Sequence, residues 1–99
     1  MSLSPAQKKF LRSRGHSLKP VVTVGSAGVT PAVTAELDGS LSHHELVKIK
    51  VRSGERSSRR EMIDRLCEAT GSELVQQIGH MALLYRPGPE SPSIHLPPR

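Results

Sequence analysis

The sequence predicts an α/β sandwich built on a small sheet, with elements in the order helix–strand–helix–strand–helix–strand–strand. Three observations carry this. Ser4-Pro5 and Thr30-Pro31 each pair an N-cap residue with a proline at the first helical position, which marks helix starts. Val21-Val22-Thr23-Val24 is a β-branched run bounded by Pro20 and Gly25, and Val47, Ile49 and Val51 alternate with Lys48, Lys50 and Arg52; both patterns are those of strands. Gly79-His80 separates two further apolar segments and suits a two-residue hairpin turn with glycine at its first central position.

The elements follow in order. Ser4, Pro5 and Gln7 form a capping box for the first helix, and Gly15 reads as the residue just past its end. Leu3, Phe10 and Leu11 fall on one side of it, with Lys8, Lys9 and Arg12 on the other. Pro20–Val24 is a strand, and Gly25-Ser26-Ala27-Gly28 leads from it to a second helix with Val33, Leu37 and Leu41 as its core face. Val47–Val51 is a half-buried strand with one apolar and one basic face. A third helix follows Gly54. Ser58 and Glu61 supply its capping box, Met62, Ile63, Leu66, Cys67 and Ala69 its apolar face, and Gly71 its stop. Glu73–Ile78 and Met81–Arg86 are the last two strands. The final 13 residues contain five prolines, so residues 1–86 read as one domain and 87–99 as an extended tail that adds little to the core.

Composition narrows the function. The 99 residues are 35% hydrophobic, enough for one modest core. No apolar run is long enough to span a membrane, and no secretory signal opens the chain. Cys67 is the single cysteine, which excludes an internal disulfide and favours a reducing cytoplasm. The net charge is +5 and the pI about 10.0. It is also uneven: Lys8, Lys9, Arg12, Arg14 and Lys19 all precede the first acidic residue, Glu36. Such an excess favours polyanions, with nucleic acid first among them.

The segment Gly25-Ser26-Ala27-Gly28 is the candidate contact. Glycines let a backbone take positive φ and approach another backbone closely. The helix starting near Thr30 points N–H groups and a partial positive charge at it. A sugar-phosphate chain is the natural ligand, and the same Gly-x-x-Gly device clamps nucleic acid in KH domains. By itself the motif is more often the signature of a tight turn, and its context of basic segments favours the contact. Neither a P-loop lysine nor a third glycine accompanies it, so a mononucleotide or dinucleotide fits less well. Arg52, Arg56, Arg59 and Arg60 cluster around the start of the third helix, either as a phosphate site or as a solvated loop. Phe10 and Tyr85 are the only aromatics, so recognition by base stacking is excluded on any scale. His43-His44 lacks partners at metal-binding spacing, Cys67 fits a core position, and no catalytic motif frames any serine, histidine or aspartate. The reading is therefore a non-catalytic RNA-binding protein with no metal, cofactor, membrane or small-molecule partner. The alternatives are a protein-interaction module with a basic surface and a non-specific DNA binder.

The run from Leu18 to Thr30 resembles the signature of the bacterial YhbY family, the stand-alone form of the CRM domain. The segments His43–Val51, Gln77-Ile78-Gly79 and Leu84-Tyr85-Arg86-Pro87 agree with it, so the resemblance spans roughly residues 2 to 97. It implies a two-layer α/β sandwich with a four-stranded mixed sheet, like the C-terminal domain of a bacterial translation initiation factor. It also implies RNA binding through Gly25, Ser26, Ala27 and Gly28, with Lys19 as their basic neighbour. Bacterial members are linked to precursors of the large ribosomal subunit, which makes ribosomal RNA the expected partner and ribosome assembly the expected role. Lys8, Lys9, Arg12, Arg14, Arg59 and Arg60 complete the expected RNA-binding set from charge alone.

Overall fold

A computed structural model describes residues 2–52, 54–89 and 92–99 of the chain. Its elements are α1 (Pro5–Gly15), β1 (Pro20–Val24), α2 (Pro31–His44), β2 (Leu46–Val51), α3 (Arg56–Thr70), β3 (Glu73–Ile78) and β4 (Met81–Tyr85). The four strands form one sheet in the order β1-β2-β4-β3. β1 and β2 run parallel, joined by the α2 crossover, and the other two pairings are antiparallel, so the sheet is mixed. The expected element order and fold class both hold.

Successive strand residues point to opposite faces, so neighbours in sequence sort into two cores. Val47, Ile49 and Val51 of β2 join Ala82 and Leu84 of β4 beneath α2 and α3, which contribute Leu37, Leu41, Ile63 and Leu66. Leu46, Leu83 and Tyr85 face the other way, onto Leu3 and Leu11. The sheet with α2 and α3 is the two-layer sandwich; α1 crosses its opposite face. Lys48 and Lys50 share that face with Leu46, and both are half-buried rather than fully wet.

Local signals explain most boundaries. Ser4 Oγ accepts the Gln7 N–H at 3.2 Å while Gln7 Oε1 accepts the Ser4 N–H at 3.0 Å, the reciprocal capping box expected. Thr30 Oγ1 caps α2 through the Val33 N–H at 3.1 Å. Gly71 stops α3 at φ +68°. Two expectations fail. Gly15 is not a residue past the helix but its last, buried member. A Cβ there would lie 2.5 Å from a Leu83 methyl, so close packing on β4 rather than a positive φ requires glycine. And α3 starts at Arg56, with Glu55 as N-cap and no side-chain cap bond; the Ser58–Glu61 box is not used, and Ala69 is exposed while Thr70 is buried.

The Pro-rich tail also departs from expectation. Ile94 and Leu96 pack against the second core. Gln7 Nε2 donates to the Pro97 carbonyl at 3.1 Å. The buried Glu45 carboxylate accepts the N–H groups of Gly88, Ser93 and Ile94 at 2.9–3.0 Å. A composition typical of linkers therefore covers apolar surface on the α1 face of the sheet. Met1, Ser53, Glu90 and Ser91, which fall within the expected bounds 1–86 and 87–99, lie outside the described residues. Arg86 closes the same end of the molecule, donating to Asp38 Oδ1, the Thr70 carbonyl and Ser42 Oγ.

Candidate nucleic-acid interface

β1 ends at Val24, and the next four residues form a tight turn in which the Gly28 N–H donates to the Gly25 carbonyl at 3.0 Å. Ser26 and Ala27 sit exposed at its corner. The two glycines do different things. Gly28 has φ +74°, the left-handed conformation that favours glycine. Gly25 has no positive φ; a Cβ there would meet nothing within 4 Å, so its glycine leaves open space at the turn. The helix behind the turn offers fewer donors than expected. Pro31 has no N–H and the Val33 N–H is taken by Thr30, so α2 contributes mainly the positive end of its dipole.

Three other segments converge on this end of the sheet. The chain leaving β2 runs beside the turn, with the Arg52 N–H donating to the Val24 carbonyl at 2.9 Å. Gly54 follows at φ +90°, and a Cβ built at either Gly28 or Gly54 would meet the Met62 side chain of α3, at 3.9 and 3.4 Å. Arg59 Nη1 donates to the Gly54 carbonyl at 2.7 Å, which ties the first turns of α3 to the same corner. The β3–β4 turn, with Gly79 at φ +57°, is the third. Its His80 Nδ1 donates to the Val51 carbonyl at 2.9 Å, which places a proton on Nδ1. Two helix N-termini, two glycine turns and the arginines of α3 thus share one end of the molecule. Because α3 starts at Arg56, Arg56, Arg59 and Arg60 stand in its first turns, with no acidic residue among them to match the dipole.

The remaining basic residues are spread more widely than their place in the sequence suggests. Lys19 precedes β1, and five strand residues at roughly 3.3 Å each put on the order of 15–20 Å between it and the Gly25–Gly28 turn. It is therefore not the turn's spatial neighbour. It lines a hollow on the α1 face with Arg14 and Lys48. Arg14 also rests over the Phe10 ring, 5.4 Å from its centroid. Arg12 and His16 flank a second hollow beside Lys48 and Ile78. Lys9 is exposed at the surface of α1. Lys8 is brought to Arg56, Arg59 and Arg60 across the edge of β3, where the four residues wall a groove of about 1160 Å³. That meeting joins residues 48 to 52 positions apart, a separation at which no sequence pattern operates.

Other chemistry is sparse. His43 and His44 meet edge-on, with centroids 4.8 Å apart. Among the described residues no three histidine, cysteine, aspartate or glutamate side chains converge as metal ligands, and no helix is long and apolar enough to cross a membrane. Burial pushes the Cys67 thiol up, away from the thiolate a nucleophile needs.

Known proteins resemble this chain along most of its length. The CRS1 / YhbY (CRM) domain model matches residues 3–86. The Pseudomonas aeruginosa protein named "Probable RNA-binding protein PA4753" is 49% identical over 90 residues, covering 91% of this chain and 86% of its own. An "RNA-binding protein" of Haemophilus influenzae is 43% identical over 96 residues, covering 97% and 96%. The solution structure of the hypothetical protein SAV1595 from Staphylococcus aureus superposes with a TM-score of 0.84 at 36% identity, covering 97% of this chain and all of that one. The glycine turn, the mixed sheet and these matches along nearly the whole length together establish that the chain belongs to the CRS1/YhbY (CRM) domain family.

Proposed function

We propose that this chain is a non-catalytic RNA-binding protein that contacts the sugar-phosphate backbone at the Gly25–Gly28 turn and acts on ribosomal RNA in large-subunit precursors. One observation carries the contact: an open, glycine-bounded turn lies at the end of the sheet where α2 and α3 both begin and where Arg52, Arg56 and Arg59 gather. Positive helix ends and guanidinium groups attract phosphate, and the missing side chain at Gly25 lets a backbone come close. The names carried by the relatives support RNA as the polymer. The ribosomal target rests on the family resemblance. With Tyr85 buried and Phe10 beneath Arg14, base stacking has no platform, so binding at the turn follows RNA shape more than base identity.

Crosslinking in cells, followed by sequencing of the bound RNA, tests the target. Enrichment of large-subunit precursor RNA is expected; recovery dominated by messenger RNA or by DNA contradicts the reading. Salt dependence alone does not separate RNA from DNA, since both release counterions.

A further inference from the structure

The groove along β3 leads away from the turn described above. β3 is an edge strand, so one side of its backbone faces no other strand. Leu74 to Gly79 form the floor of the groove, with Lys8 of α1 on one wall and Arg56, Arg59 and Arg60 of α3 on the other. Glu55 is its one acidic lining residue. Arg60 also pairs with Asp64 at 3.0 Å, but both side chains are more than half exposed and the pair holds it weakly.

We propose that this groove is a second RNA site that seats an unpaired strand continuing from the Gly25–Gly28 end. The proposal rests on the RNA-binding reading and adds to it. The groove and the turn are continuous: the groove ends at Gly79 and at the first turns of α3, and Arg59 is bonded to Gly54 beside the turn. Cations on both walls match a phosphate chain. The free N–H and C=O groups of β3, with Gln76 and Gln77, offer donors and acceptors to the Watson–Crick edges that only unpaired bases expose. A duplex hides those edges.

An extended acidic peptide adding as a fifth strand is the competing occupant. The edge is poorly built for it. The β3–β4 register slips between Leu74 and Gln76, and a bulge of this kind interrupts continuous strand pairing.

The test compares a hairpin RNA with the same hairpin carrying a single-stranded overhang of about ten nucleotides. Binding is measured by fluorescence anisotropy at several salt concentrations, with the full chain and with Arg60→Ala, a groove residue that takes no part in the turn contact. Wild type is expected to bind the overhang RNA more tightly. The variant is expected to lose that gain, with the salt slope on the overhang RNA falling by about 0.7 for each lost single-strand phosphate contact, while hairpin affinity persists. Lys8→Ala, on a different helix, serves as a second variant and is expected to lower the slope in the same way. Equal binding of both RNAs by wild type overturns the groove but leaves the turn standing. An equal loss on both RNAs makes Arg60 part of a general phosphate surface and also overturns it. Failure of wild type to bind either RNA rejects the underlying RNA reading. Binding of a poly-glutamate peptide that is lost in the variants, without an overhang effect, assigns the groove to a protein partner instead.

Discussion

Glu45 illustrates how one residue holds distant parts of this chain together. It is 4% exposed and is the one described non-glycine residue with positive φ, at 65°. That strain persists because the residue is fixed from both sides. Its N–H closes α2 on the Leu41 carbonyl, its carbonyl accepts from the Arg86 N–H, and its carboxylate takes three N–H groups of the tail. Burial alone would raise its pKa, but the bonds from Ser93, Ile94 and Gly88 outweigh burial and hold it below the ordinary 4.5. A carboxyl with a lowered folded pKa adds stability that is complete above its unfolded value and vanishes as pH falls through the folded one. Glu45→Gln is therefore expected to cost about 1–3 kcal/mol at pH 7, the worth of hydrogen bonds to a charged group. Denaturant titrations of both proteins check this. The difference between them should shrink as the pH drops below 4.5. A difference that stays constant to pH 3 contradicts the assignment.

At the scale of elements, α3 pits stability against binding. Arg56, Arg59 and Arg60 crowd a helix start that has no side-chain cap. Cations there oppose the dipole, at a cost of about 0.3–1 kcal/mol each. Arg56→Glu should therefore raise the melting temperature slightly while weakening RNA binding; loss or gain of both together would show that the arginine serves the fold. The start of α3 was also the least legible boundary, because Glu55 gives no capping bond for a sequence pattern to register. Where a side chain does cap, as at Ser4 and Thr30, the sequence located the helix to the residue. Gly15 shows a different limit. Glycine near a helix end signals a left-handed stop, and only the packing of Leu83 reveals that it marks a close contact.

At the scale of the molecule, the sheet order decides which legible features become neighbours. The Gly25–Gly28 turn was legible as a motif, because glycine spacing and the following Thr30-Pro31 are local. Its surroundings were not. Lys19 is six residues from Gly25 yet lies at the far end of β1, whereas Arg59 is remote in sequence yet bonded beside the turn. The same holds for the tail, whose prolines suggested a linker while Ile94 and Leu96 found apolar surface on the α1 face. The family segments near the C-terminus make sense in this light: Tyr85 and Arg86 hold the end opposite the glycine turn, and so fix the frame that presents it. The claim that this end of the sheet is the RNA contact is most directly tested with Gly25→Asp. A side chain at Gly25 meets nothing within 4 Å, so the fold should survive, which circular dichroism and melting would verify. The carboxylate would stand where a phosphate is expected. Titration against a structured ribosomal RNA fragment should then show affinity reduced at least about tenfold, on the order of 1.4 kcal/mol. A folded Gly25→Asp protein that binds as tightly as wild type would contradict the assignment of this turn.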